Sequence, residues 1–227
     1  MSQSRVYFVT GTDTDAGKTF ATCTMLAAAR EAGYTTAAVK PVAAGGIHTQ
    51  QGLQNEDALA LSEHCSPELA VETINPLCFK PAIALHIAAQ LINKNVSISE
   101  LAGYCQQVMN LGEDLVLIEG AGGWLVPVND RETLAELPAA LDIPVILVVS
   151  MRLGCLNHAM LTVESIKASG VELAGWIANR TSAAMDYYQE NLETLKRQIP
   201  APLIAELPWS TVHEAAKHID LNHLQLP

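Results

Sequence analysis

Positive charge is scarce in this 227-residue chain, where 13 Lys and Arg stand against 24 Asp and Glu and leave a net charge of −11. A surface of that sign has no basic field to hold nucleic acid or an anionic membrane, so small molecules and other protein chains are the expected partners. Long apolar runs are also missing. A stretch such as Val145-Ile146-Leu147-Val148-Val149 is far too short to span a bilayer. The first residues enter a strand-like run without a signal-peptide pattern, and the expected location is the cytoplasm. The five cysteines (Cys23, Cys65, Cys78, Cys105, Cys155) form no C-x-x-C pair and are odd in number. That excludes a disulfide framework and a cysteine-built zinc site, and they read as reduced, mostly buried small residues. Among seven scattered histidines only His213, His218 and His223 lie near one another, at spacings that share no helix face, and they read as surface residues. With no low-complexity linker and no internal repeat, one domain spanning residues 1–227 with a full core is expected.

Apolar strand-like runs alternate with helical stretches. Val6–Thr10, Thr35–Val39, Asp114–Glu119, Pro144–Ser150, Leu173–Ala178 and Leu203–Leu207 read as strands. Helices are expected up to about Ala32, from near Asn55, and over Ala82–Ile92, Ile98–Met109, Glu132–Leu141, Asn157–Ala168 and Asp186–Gln198. Gly45 and Gly46 sit in an expected flexible loop, and Pro76 and Pro81 punctuate a connection. Strands alternating with helices in this way indicate an α/β fold with a mainly parallel sheet between helical layers. Leu115–Ile118 is continuously apolar, as befits a strand buried on both faces.

The first strand runs into Gly11-Thr12-Asp13-Thr14-Asp15-Ala16-Gly17-Lys18-Thr19 and then an alanine-rich helical segment. A glycine-containing loop between strand and helix turns backbone N–H groups around a phosphate, and the free amides of the helix start add partial positive charge. Lys18 would reach the β- and γ-phosphates and Thr19 would hold Mg2+. Gly17 must be small for the backbone to approach the anion. The phosphate-loop pattern has four residues between its glycines and this one has five, so the match is to a variant. An isolated G-K-T triplet would be an ordinary turn; strand, loop and helix in order favour a three-layer P-loop NTPase-like fold.

In such sheets ligands gather at the carboxyl ends of the strands. That rule selects the Gly11–Thr19 loop, Lys40, Glu119 with the glycines after it, and Asn179-Arg180. Glu119 stands where phosphate-loop enzymes place an acid for Mg2+. Asp114 begins the same strand and, five residues away at about 3.3 Å each, lies at the wrong end of the sheet. For Asp57, spacing alone favours helix-dipole stabilisation in the first turn of a helix over a ligand role. Lys40 is either a solvated strand-end lysine or a fixed cation for an anion, and the following Pro-Val and glycine loop favour the second.

Five motifs in order carry a resemblance. They are Gly11-Thr12-Asp13-Thr14 with Gly17-Lys18-Thr19, Lys40-Pro41-Val42-Ala43, Val116 through Glu119-Gly120-Ala121-Gly122-Gly123-Trp124, Leu153-Gly154-Cys155-Leu156-Asn157-His158-Ala159, and Gly175-Trp176-Ile177-Ala178-Asn179. Together, over about Val6 to Trp209, the chain resembles dethiobiotin synthetase. The resemblance implies an ATP- and Mg2+-dependent ligase that joins CO2 to 7,8-diaminopelargonic acid and closes the cyclic urea of dethiobiotin through a carbamate and a carbamic-phosphoric anhydride. It implies catalytic roles for Lys18, Lys40 and Thr14, and Mg2+ on Thr19, Asp57 and Glu119. ATP would be held by Asp15, Ala16, Gly17, Lys18, Thr19, Phe20, Asp57, Glu119, Gly120, Ala121 and Gly122, with Asn179, Arg180, Pro208, Trp209 and Ser210 around the adenine. Substrate would meet Thr14, Lys40, Ala44 and Gly122, and, from the second chain of a homodimer, Gly154, Cys155, Leu156 and Asn157. Two positions depart from the family's habit: Asp15 replaces a glutamate that is one methylene longer, and Ala44 replaces a serine, so a hydroxyl contact to substrate is lost there.

A switch ATPase of the ParA/MinD kind shares a related loop. Those proteins carry an extra lysine early in it, where this chain has Asp13, and the chain shows neither a basic membrane-binding terminal helix nor a DNA-binding face. An amidotransferase-type ligase would need a glutaminase domain, for which no residues remain.

Overall fold

The computed structural model describes residues 4–182 and 184–227. β1 (Arg5–Gly11) leads through the glycine loop into α1 (Lys18–Glu31), and β2 (Thr36–Val39) follows. Three short strands, β3 (Val42–Ala44), β4 (Ile47–Thr49) and β5 (Gly52–Gln54), precede α2 (Glu56–Ser62), the one-turn α3 (Val71–Ile74) and β6 (Leu77–Phe79). Next come α4 (Leu85–Leu91), α5 (Ile98–Met109), β7 (Leu115–Glu119) and α6 (Glu136–Leu141). The remainder alternates through β8 (Val145–Ser150), α7 (Cys155–Ala168), β9 (Leu173–Asn179), α8 (Tyr188–Gln198), β10 (Leu203–Leu207) and α9 (Val212–Ala216).

All six long runs expected as strands join one sheet in the order β10-β9-β8-β1-β7-β2, with every pairing parallel. From β2 the chain returns to β7, then crosses β1 to reach β8. That reversal on either side of β1 opens a crevice at the carboxyl ends of β1, β7 and β8, the place where open α/β sheets bind ligands.

Period-two alternation decides what each face meets. On β1, Phe8 packs with Leu85, Leu101, Cys105 and Leu137 of α4 to α6, while Tyr7 and Val9 pack with α1, α2 and α9. Further along the sheet, Leu147, Val149 and Trp176 meet α7 and α8. α1 is buried over most of its length, with Ala27, Ala28 and Ala29 small near its end because it is covered twice: the sheet lies on one side, and Ala216 of α9 meets Ala27 and Ala28 on another.

Several expectations change. The loop through Gly45 and Gly46 holds β3, β4 and β5; β3 pairs in parallel with β6, and β4 with β5 antiparallel. Three-residue strands are too short to show a period in sequence. The helix expected from Glu132 begins at Glu136, because Asn129 Oδ1 accepts from the N–H groups of Arg131 and Glu132 and turns the chain before it. The helix expected from Ala82 begins at Leu85, after a turn in which Ile83 N–H donates to Pro81 O. α9, unforeseen, starts with a capping box between Thr211 and Glu214. His213 and His218 are exposed, but His223 is half-buried. The cysteines are free, four buried and Cys78 half-buried. Among the described residues no helix is long and apolar enough to cross a membrane.

The chain end is pinned to the sheet by Tyr7, whose buried hydroxyl donates to Leu224 O at 2.8 Å. Tyr7→Phe removes that donor and leaves the carbonyl unpaired, so stability should fall by about 1 kcal/mol, read from the urea midpoint. Catalysis should be unaffected, since Tyr7 lies towards the amino end of β1, away from the carboxyl ends where the cavity forms, and does not line that cavity.

Candidate active site

The loop after β1 is held from two directions. Thr12 N–H donates to Val148 O of β8 at 3.0 Å, and Asn179 Nδ2, at the end of β9, donates to Ala16 O at 2.9 Å. Gly17 has φ +80, and a Cβ there would collide with Asn179 Nδ2. Glycine is therefore required by backbone sign and by a neighbouring strand, in addition to the close anion approach expected from sequence. Asp15 is also left-handed, φ 59. Aspartate tolerates that region better than longer side chains do, which gives a physical account of the shorter acid at this position. Asp13, where switch ATPases carry lysine, accepts from Thr14 N–H at 2.8 Å and pairs with Arg152 Nη2 at 2.9 Å.

Four charged side chains converge above the crevice. Glu119 ends β7 fully buried, and its Oε1 accepts from Thr19 Oγ1 at 2.8 Å and from Lys40 Nζ at 2.7 Å. Asp57 Oδ2 lies 2.8 Å from the same ammonium. Its backbone N–H is capped by Asn55 Oδ1 in the first turn of α2, so helix-start position and site position are both real. Lys18 Nζ donates to Gly122 O and, at 3.3 Å, to Asp13 O. Burial lowers the Lys40 pKa, but the Glu119 and Asp57 carboxylates outweigh it and leave the group above its ordinary value. For Asp57, burial raises the pKa, but the Lys40 ammonium, helped by the Thr19 hydroxyl and the Lys18 charge, outweighs it, so the carboxyl sits below its usual range. Lys18 is lowered, first by burial and then by the Lys40 charge. Two cations and two anions thus balance at the cavity, with Lys18, Lys40 and Glu119 buried and Asp57 facing solvent, and an added anion meets fixed positive charge at short range.

Beside them a cavity of about 720 Å³ is lined at its polar end by Thr14, Asp15, Gly17, Lys18, Thr19, Lys40 and Asp57. Ala43 and Ala44, both named from sequence, join Ala82, Ile83, Leu85, Leu125, Val126 and Pro127, which motif reading did not find, in an apolar wall. Ala121 and Gly122 complete the rim. Ala44 adds a methyl there, and its carbonyl accepts from Asn55 Nδ2 at 3.3 Å. Volume and a polar end against apolar walls suit a small elongated ligand with a charged head.

Other expected residues lie outside this cavity. Gly120 packs under the site, where a Cβ would press on Phe8. Phe20 is part-buried against the helix-side core. Asn179 and Arg180 stand beside Leu207 at the ends of β9 and β10, next to the loop, and Pro208, Trp209 and Ser210 follow Leu207 in the chain. Arg180 stacks over Tyr188 at 3.7 Å and reaches Glu206 at 3.3 Å, while Trp209 is 64% exposed. Gly154 and Asn157 are exposed at the start of α7, Cys155 is buried and Leu156 half-buried, and none of the four lines the cavity of its own chain. Asp114 is at the far end of β7, accepting from Thr35 N–H at 2.8 Å, as its position in the strand requires. Arg152, Asn75 and the wall residues from Ala82 onward had no motif to announce them.

A family model for an AAA domain matches residues 5–217. The chain is 47% identical over 223 residues to an ATP-dependent dethiobiotin synthetase of Cellvibrio japonicus, covering 97% of each chain. With the enzyme of that name from Pseudomonas aeruginosa strain UCBPP-PA14 it shares 49% identity over 221 residues, 96% of this chain and 97% of the other. In fold it resembles a ParA family ATPase of Chlorobium tepidum, with TM-score 0.54 and 15% identity over 94% of this chain and 89% of that one. Identity so low carries the phosphate-loop architecture alone. Near full-length identity of almost one half, over a chain whose strand ends assemble a phosphate loop and two buried lysines, establishes that the protein belongs to the ATP-dependent dethiobiotin synthetase family and is a ligase.

Proposed function

We propose that the chain acts in biotin biosynthesis, joining CO2 to 7,8-diaminopelargonic acid with ATP to form dethiobiotin, ADP and phosphate. The observation that carries this reading is the placing of Lys18 and Lys40, both more than nine-tenths buried, at the polar end of a cavity with an apolar wall. One substrate amine adds to CO2 and loses a proton, giving a carbamate. A carbamate oxygen attacks the γ-phosphorus and ADP leaves; the second amine then attacks the carbamoyl carbon, forming the ring C–N bond as phosphate departs. The hard step brings an anionic carbamate against an anionic triphosphate. Lys18, in the loop after β1, stands for the phosphates, and Lys40, after β2 on the far side of β7, for charge growing between carbamate and γ-phosphate. Thr14 lines the carbamate end, and the apolar wall takes the alkyl chain.

A divalent cation suits the donor set. Glu119 Oε2 is buried without a partner, so a metal can take it while Lys40 keeps Oε1. Asp57 and the Thr19 hydroxyl complete hard oxygen donors of the kind Mg2+ prefers. Bound there with the nucleotide, Mg2+ would neutralise phosphate charge. Asp57→Asn should raise the Mg2+ concentration for half-maximal rate several-fold, whereas Asp114→Asn should leave it unchanged, as a Mg2+ titration of turnover will read. An unchanged requirement in Asp57→Asn returns that residue to helix-dipole stabilisation.

The chain is proposed to work as a homodimer, with Gly154, Cys155, Leu156 and Asn157 of one copy completing the substrate pocket of the other. Their position outside the cavity of their own chain supports this. The whole reading is tested by mass spectrometry on enzyme, Mg-ATP, bicarbonate and the diamino acid. The expected product exceeds the substrate by CO2 less water; ATP hydrolysis without that product would sink the proposed reaction.

A further inference from the structure

Lys40 stands where β2 has ended and β3 has not begun, so the central sheet pairs neither of its backbone groups. Both find partners in one place. Its N–H donates to Ile74 O at 2.7 Å, and its C=O accepts from Asn75 Nδ2 at 2.6 Å. The same amide reaches Leu77 O at 3.3 Å, at the start of β6. Asn75 is itself fixed: it is 7% exposed, and its N–H donates to Val71 O at 2.7 Å. Pro76 after it disfavours the helical region for Asn75, whose φ −130 and ψ 78 end α3 after one turn. The side chain is used for its N–H donors alone, since Oδ1 is buried without a partner. An unpaired buried acceptor is unfavourable, and an apolar residue would avoid it, yet that residue would strand the Lys40 carbonyl. Aspartate, equal in shape, has no donor to give when ionised.

We propose that Asn75 is a positioning residue for Lys40, its amide clamping the lysine backbone so that the ammonium stands between Glu119 and Asp57 at the reacting end of the cavity. The proposal rests on the role given to Lys40 above. A lysine side chain has four rotatable bonds, and its head group is placed reproducibly only from a fixed backbone. Displacements of about 1 Å in a catalytic group cost up to about 10²-fold in rate.

The test compares Asn75→Ala and Asn75→Asp with wild type, and Asn75→Ala again in the Lys40→Ala background. Turnover of each single variant should fall about 10- to 100-fold with KM for ATP nearly unchanged, because the contacts of Lys18 do not involve Asn75. In the Lys40→Ala background the same substitution should cost no further activity, although it lowers the thermal midpoint equally in both. Tyr7→Phe, destabilised far from the site, should keep wild-type turnover and so separates lost stability from lost positioning. Normal kcat in folded Asn75→Ala, or an equal activity loss in both backgrounds, would overturn the proposal. Should Asn75→Ala not fold, Asn75→Asp carries the same test, and if the residual rate of Lys40→Ala is below detection the split between kcat and KM decides. Normal turnover in Lys40→Ala alone would instead defeat the role assigned to the lysine, whatever Asn75 does.

Discussion

Lys40→Ala is expected to bind ATP normally and to lose ring closure by ~10²-fold or more, whereas Lys18→Ala should lose both. The two lysines are buried and close, but their partners differ. Lys18 follows Gly17 in the phosphate loop and donates to the Asp13 and Gly122 carbonyls around the mouth of that loop. Removing it takes charge from the triphosphate in ground and transition states alike, which weakens binding as well as turnover. Lys40 belongs to another strand and is held by Glu119 and Asp57. Its charge meets the anion that develops when carbamate and γ-phosphate approach, so its loss should register in kcat. Without it the two carboxylates also lose their counter-ion, which makes Lys40→Ala harsher than truncation of a solvated lysine. Nucleotide binding by calorimetry and dethiobiotin formation under saturating substrates separate the two effects. Normal turnover in Lys40→Ala would remove that residue from the chemistry.

Mixing two inactive variants should restore activity. If Asn157 of one copy completes the pocket containing Lys40 of the other, Lys40→Ala and Asn157→Ala homodimers are each defective at both sites. In a heterodimer one pocket then carries both lesions and the other carries neither. Random pairing makes about half of the dimers mixed, so roughly a quarter of all pockets become intact. If both residues served one pocket within a chain, every pocket would keep a lesion and exchange could repair nothing. The position of Asn157, exposed at the start of α7 and absent from the cavity lining of its own chain, supports the first arrangement. The measurement is dethiobiotin formation after co-refolding, with exchange shown independently and Asn157→Ala shown to be inactive alone. Activity no greater than the mean of the two variants would sink the shared pocket.

Sequence by itself determined the six parallel strands and the residues at their ends. Apolar runs of five to seven residues separated by helical periods admit little else, and a parallel sheet carries its loops to one edge, so Thr19, Lys40 and Glu119 could be grouped before any distance was known. Asp114 could be set aside on strand length alone. What tertiary structure decided lies in contacts between distant parts of the chain. Asp57 has the same sequence signature whether it only meets the dipole of a helix start or also faces a lysine, and the Lys40 ammonium at 2.8 Å is what separates the two. Gly17 reads as room for an anion until the Asn179 amide, 162 positions later, is found against it. Strands β3 and β6, three residues each, show no period of their own, and their pairing brings Asn75 beneath the Lys40 carbonyl. Local pattern records which face of an element is apolar, and so it yields the layers. Which side chains then meet depends on how those layers close over one another, and no stretch of sequence contains that information locally.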